Sequence, residues 1–264
     1  MVTQRPAARS ESDDGTLRLA VLIDADNAQA AVIEGLLAEI ARFGEATVKR
    51  IYGDFTTTAS SSWKKVLQRY AIKPVQQFAY STGKNSTDST LIIDAMDLLY
   101  TRKFDGFCLI TSDSDFTGLA MRLREEGLSV FGFGEQKTPE AFRNACHKFV
   151  FTEVLRSGLA QDRTPMKPRA ESENRAAPAE AAEHKQEFPK DFVLAALEQS
   201  VDDAGWAHLS RFGSYLTKLQ PDFDSRVFGY RKLSDLVRAR KDLFETEERS
   251  SPGSSRKVLY LRAR

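Results

Sequence analysis

The chain has 264 residues, a formal net charge of +1 and 41% hydrophobic residues. The length suggests two domains or one large one, and the composition is that of a globular protein, which excludes a disordered polyelectrolyte. No apolar run reaches transmembrane length, and the polar stretch from Met1 to Gly15 lacks the apolar region of a signal peptide, so a cytoplasmic protein without membrane contact is expected.

Residues 1–16 are rich in charge, with little to bury, and read as a disordered tail. Leu19 to Ile23 is a continuous apolar run, as in a strand covered on both faces, and Asp24-Ala25-Asp26-Asn27 ends it. The next helix has Ile33, Leu36, Leu37 and Ile40 on one stripe and Gly44 closing it. A strand over Thr47 to Tyr52, a helix over Trp63 to Tyr70 and a strand over Ile72 to Phe78 follow. Residues 81–87 have loop chemistry, include Lys84 and end in good N-cap residues.

The spacing predicts a helix from Asp88 to Tyr100, with Leu91, Ile92, Ala95, Leu98 and Leu99 as its apolar stripe. At roughly 100° per residue, Asp88 falls at the centre of that stripe, Asp94 on its flank and Asp97 on the far side. A carboxylate facing the core is costly unless it is paired or binds a metal. The alternative is that Asp88 only complements the helix N-terminus, worth about 0.3–1 kcal/mol.

Gly106 to Ile110 reads as a buried strand, Ser112-Asp113-Ser114-Asp115 ends it, and a helix from Phe116 to Glu126 stops before Gly127. A strand over Ser129 to Phe133, a short helix over Pro139 to Cys146 and a strand over Phe149 to Thr152 complete the region. Strand and helix alternate about six times over 17–155, which predicts a mainly parallel sheet with helices on both faces. The only cysteines are Cys108 and Cys146, and no Cys-x-x-Cys pair offers a zinc or redox motif.

Residues 156–188 contain Pro165, Pro168 and Pro178, mixed charge and no stripe of large apolar residues, and read as a flexible linker. From Phe188 onward come three short helical stripes: Phe192, Val193, Ala196, Leu197; then Leu209, Phe212, Leu216, Leu219; then Leu233, Leu236, Val237. Two strand-like runs follow, with Ser250 to Ser255 between them as a hairpin loop, and the whole of 189–264 describes a small winged helix. This region holds 14 Lys/Arg against 11 Asp/Glu, a mild bias towards an anionic partner.

Asp24 and Asp113/Asp115 end strands on one edge of the expected sheet, and Asp88 starts a helix at that edge. Carboxylates that converge repel one another by about 4 kcal/mol per pair at 4 Å and an effective dielectric near 20, so a fold that gathers them needs a cation. Oxygen donors without His or Cys favour Mg²⁺ or Mn²⁺, and such an ion supports in-line hydrolysis of a phosphodiester by metal-activated water. Asn27, Ser112 and Lys84 are candidates to touch an acid or a phosphate, while Asp26 and Asp54 read as cap and turn residues.

Asp24-Ala25-Asp26-Asn27, Lys84 with Asp88 and Asp94 downstream, and Ser112-Asp113-Ser114-Asp115-Phe116 together resemble the NYN domain, the LabA-like group of PIN-related ribonucleases. The resemblance covers about 18–155. It implies a PIN-like three-layer α/β/α fold and an acidic metal pocket formed by Asp24, Asp88, Asp113 and Asp115, with Asp94 as a candidate fifth member. Many members carry a Lys-Gly closer to the helix acid; here Gly83 precedes Lys84 and Asp88 lies four residues beyond it. Gly205-Trp206, Leu209-Ser210 with Gly213, and Phe228-Gly229-Tyr230-Arg231-Lys232-Leu233 resemble the OST-HTH or LOTUS domain, which implies an RNA-binding module or, in some members, a protein-binding one. Arg211, Arg231, Lys232 and Lys257, with Lys218, Arg226 and Arg256, are candidates to contact phosphates or form a solvated basic face, and Trp206 and Tyr230 are candidates to stack on bases or to pack in the core.

Three functions are consistent with these residues. A Mg²⁺- or Mn²⁺-dependent ribonuclease uses all four acids. A non-catalytic RNA-binding regulator would not need the acids, and their retention argues against it. A haloacid-dehalogenase-type phosphatase would use Asp24 as nucleophile, because Ile23-Asp24-Ala25-Asp26 mimics its motif, though Ala28 stands where that group usually has Thr or Val.

Overall fold

The structure is a computed structural model that describes residues 15–56, 61–78, 86–161, 187–250 and 257–264. Lys84, Arg256, nearly all of the expected tail, most of the expected linker and most of the hairpin loop lie outside the described residues. The chain divides into two compact units, with the boundary after Cys146.

The first region runs β1 (Leu17–Asp24), a 3-10 turn (Ala30–Val32), α1 (Ile33–Ile40), β2 (Gly44–Gly53), α2 (Ser61–Tyr70), β3 (Lys73–Gln76) and α3 (Ser86–Tyr100). It continues through β4 (Gly106–Ile110), a 3-10 turn (Ser114–Phe116), α4 (Thr117–Glu125), β5 (Ser129–Gly134) and α5 (Glu140–Ala145), and β6 (Lys148–Phe151) follows just past the unit boundary. The sheet order is β3-β2-β1-β4-β5-β6, and the pairs β3/β2, β2/β1, β1/β4 and β4/β5 are parallel. This is the mainly parallel sheet that the alternating pattern predicts. β4 is buried along its whole length, as its unbroken apolar run requires. Cys108 and Cys146 are both buried, and burial pushes the Cys146 thiol up to about 12, so both behave as small hydrophobes.

Strand order reverses between β1 and β4, and ligand crevices of open α/β sheets form at such a switch, outside the carboxyl ends of the strands. Ile23 pairs with Ile110, so the chain leaves β1 at Asp24 and β4 at Thr111 at the same level. Gly44 does not end a helix, as its place in the sequence suggests. It opens β2 beside Leu17, where a Cβ would meet the Leu17 carbonyl oxygen at 2.3 Å. The glycine is needed for close strand approach, not for a left-handed cap.

The rest of the chain is α6 (Thr152–Gln161), α7 (Lys190–Glu198), β7 (Ala207–His208), α8 (Leu209–Leu219), a 3-10 turn (Ser225–Phe228), α9 (Leu233–Ala239), β8 (Phe244–Ser250) and β9 (Lys257–Ala263). Thr152 starts a helix instead of ending a strand, and that helix extends into the segment expected to be linker. The buried Leu155 anchors it, so it forms without the long apolar stripe whose absence suggested a linker. The three short helices α7, α8 and α9 enclose Val193, Leu197, Phe212, Leu216, Leu236 and Val237, with Phe244 and Leu261 from the antiparallel sheet β7-β9-β8. This is the winged-helix arrangement. Among the described residues no helix is long and apolar enough to cross a membrane.

Candidate active site at the carboxyl edge of the sheet

Asp24, the last residue of β1, is 0% exposed. Its Oδ1 accepts from the Asp26 amide at 2.9 Å; its Oδ2 accepts from Asn27 Nδ2 at 2.7 Å and from Thr111 Oγ1 at 2.9 Å. Burial pushes its pKa up, against the pull of these three donors. Thr111 serves a second acid as well: its Oγ1 accepts from the Asp113 amide at 3.1 Å. One hydroxyl therefore ties the end of β1 to the turn after β4. A threonine at a strand end has no chemistry of its own, so the role of Thr111 is not apparent from sequence; its place directly before the acidic run is the available signal.

Asp113 caps the 3-10 turn, accepting from the Asp115 amide at 2.9 Å. Holding the start of that helix thus falls to Asp113, while Asp115 lies exposed within the turn. Asp88 is half-buried in the first turn of α3, as the helical spacing places it, and Asp97 is exposed. Carboxylate oxygens of Asp88, Asp113 and Asp115 all lie within 4.8 Å of one another. The Asp88 pKa is pushed up to about 6, by burial first and then by the carboxylates of Asp24, Asp113, Asp115 and Asp26. The like charges of these acids repel one another, a cost that a cation among them would offset. The donor set is all carboxylate oxygen, which fits a hard divalent ion such as Mg²⁺ or Mn²⁺ and not zinc.

The remaining candidates take other positions. The Asp94 carboxylate lies between the Arg50 guanidinium and the Tyr52 hydroxyl and is not part of the group of three. Burial, then the hydrogen bond to Asp94, pushes the Tyr52 pKa up and keeps the phenol a donor. Asn27 directs its amide at Asp24, and the buried Ser112 Oγ accepts from the Glu135 amide at 2.9 Å, so both brace the pocket wall. Asp54 is a turn residue, accepting from the amide and hydroxyl of Thr56.

In the C-terminal region Arg211, Arg231 and Lys232 are exposed, and Lys257 Nζ lies 3.6 Å from Glu248. Arg226 is bound to the buried Asp224. Burial works against the Asp224 carboxylate, yet its hydrogen bonds to Arg226 and that residue's charge hold it below the usual range. Arg249 and Arg262 both lie over the Trp206 ring, each guanidinium carbon 4.8 Å from the ring centroid, cation–π contacts that the sequence does not reveal. Tyr230 packs partly buried against the core.

Residues 18–155 match the family model of the NYN domain, and residues 185–255 match that of the OST-HTH/LOTUS domain. Among solved structures, the chain is similar to an uncharacterized protein of Nitrosomonas europaea at 65% identity, covering 38% of this chain and 92% of that chain with a TM-score of 0.29. It is similar to a protein of unknown function from Vibrio parahaemolyticus at 15% identity, covering 53% and 94% with a TM-score of 0.45. A third similar structure is a Chromobacterium violaceum protein at 34% identity, covering 31% and 85% with a TM-score of 0.24. No curated protein matches.

Proposed function

The chain belongs to the NYN domain family, and on that premise we propose that it is a metal-dependent ribonuclease whose C-terminal domain holds the RNA. NYN domains are typically ribonucleases, and OST-HTH/LOTUS domains bind RNA. The observation that carries the reading is the group formed by Asp88, Asp113 and Asp115 at the switch point, beside the buried Asp24.

Asp88, Asp113 and Asp115 are the residues that would hold Mg²⁺ or Mn²⁺. Such an ion, when bound, would offset their repulsion, lower the pKa of an attacking water and stabilise the departing oxyanion. Asp24 adds negative charge to the pocket and, through Thr111, fixes the turn that presents Asp113. Its two oxygens are engaged by three donors, and its full burial suits this role better than nucleophilic attack on a phosphate. Arg211, Arg231, Lys232 and Lys257 supply exposed positive charge for phosphate contact, a term that weakens with salt.

The test is incubation of the full chain with end-labelled single-stranded RNA in Mg²⁺, in Mn²⁺ and in excess chelator. Shortened products are expected with either ion and none in chelator. RNA binding that persists with no product under any of these conditions would favour the non-catalytic regulator instead.

Thr111→Val keeps the side-chain shape and removes the hydroxyl shared by Asp24 and Asp113. It is expected to lower kcat/KM about five- to tenfold, the scale of one lost hydrogen bond of ~1 kcal/mol. Steady-state kinetics at saturating Mn²⁺ would check this.

A further inference from the structure

Asp94 shares α3 with Asp88, six residues further along, which is about 9 Å of helix and a different face. Its carboxylate meets Arg50 and Tyr52, both on β2. Tyr52 is the strand partner of Asp24 in the β1/β2 pairing, and its carbonyl oxygen accepts from the Ala25 amide at 2.9 Å. The residue that grips α3 is therefore in register with the acid at the base of the pocket. Tyr52 is fully buried, and the Arg50 and Asp94 side chains are 23% and 19% exposed, so the contact is partly withdrawn from solvent.

We infer that Arg50, Tyr52 and Asp94 form a clamp that fixes α3 against the sheet and so sets the position of Asp88 relative to Asp113 and Asp115. Asp94 is then a positioning residue and not a metal ligand. Asp88 sits in the first turn of α3, where a helix frays most readily, and its neighbours Asp24, Asp113, Asp115 and Asp26 all repel it. Nothing in that repulsion holds Asp88 in place. A charged, hydrogen-bonded anchor further along the same helix does, because an intact helix transmits the restraint as a rigid rod. Arg50 also pairs with Asp94, which keeps this further acid of α3 from adding to the repulsion. The inference rests on the metal-centre reading for its catalytic consequence, but the mechanical part stands apart from it.

Two full-chain variants test the clamp, Tyr52→Phe, which deletes only the hydroxyl, and Asp94→Asn, which keeps an acceptor and removes the charge. In the metal-free protein, amide hydrogen exchange over Ser89 to Ile92 is expected to quicken about tenfold in both, with smaller changes in β4. Wild-type exchange rates there would overturn the clamp whether or not the protein binds metal. With Mn²⁺ alone as probe, measured well below the unfolding temperature, the Mn²⁺ Kd is expected to rise about tenfold, the scale seen when residues supporting a metal ligand are changed. In cleavage, the Mn²⁺ concentration for half-maximal rate should rise while kcat at saturating Mn²⁺ changes less than twofold. A purely structural contact would lower Tm and leave the Mn²⁺ Kd of the folded variants within twofold of wild type, which would overturn the positioning role. Absence of Mn²⁺ binding by the wild type would count against the metal centre, and the exchange measurement would still decide the clamp.

Discussion

Asp113→Asn is expected to lower RNA cleavage by about a hundred- to a thousandfold with the fold and RNA affinity unchanged. The asparagine keeps an oxygen that can accept from the Asp115 amide, so the 3-10 turn survives. What it removes is one of the three negative charges that can hold a cation. Electrostatic stabilisation by a bound ion amounts to several kcal/mol of the barrier, and about 1.4 kcal/mol is a factor of ten. Cleavage rate and RNA binding measured on the same preparation would check the result. Full activity in this variant would remove Asp113 from the centre.

The second large effect concerns the metal-free protein. An acid whose pKa is higher when folded binds its proton more tightly in the folded state. For Asp88 the ordinary value is 3.8 and the folded value is about 6. The folded state therefore loses stability as pH rises from about 4 to about 6, and the cost is fully present above that window. Asp88→Asn abolishes the cost. After allowance for solvent screening at a half-buried group it is expected to add about 1 kcal/mol, or roughly 2–4 °C of Tm, at pH 8 and almost nothing near pH 4. Metal reverses the order: at Mn²⁺ one hundred times its Kd the wild type should gain about 2.7 kcal/mol, a gain the variant largely forfeits. Thermal unfolding at the two pH values, with and without Mn²⁺, reads all of these shifts. A variant less stable than wild type at pH 8 without metal would show that Asp88 is structurally required and not under strain.

Elements whose apolar pattern is continuous were legible in the sequence. β4 is read to its ends from Gly106 to Ile110, and the position of Asp88 follows from helical spacing alone. The acidic group was legible too, because a strand end followed by an acid marks one edge of an α/β sheet. What the sequence hid depends on partners far apart in the chain. Asp94 looks like a further pocket acid until Arg50 and Tyr52, more than forty residues away, are seen to bind it. Thr111 acquires its role only when β1 and β4 lie side by side at the level of Ile23 and Ile110. Gly44 reads as a helix stop, and its actual constraint is the Leu17 carbonyl of the neighbouring strand. Residue type and local spacing show which groups can do chemistry, and tertiary pairing decides which of them are already engaged.

The most direct measurement is anomalous diffraction from crystals of the full chain soaked in Mn²⁺. A peak is expected in contact with carboxylate oxygens of Asp88 and Asp113, at about the 2.1 Å typical of Mg²⁺-like coordination, with Asp115 beside it and Asp94 still held by Arg50 and Tyr52. A map without a peak over these acids, at a Mn²⁺ concentration that supports cleavage in solution, would contradict the assignment of the centre.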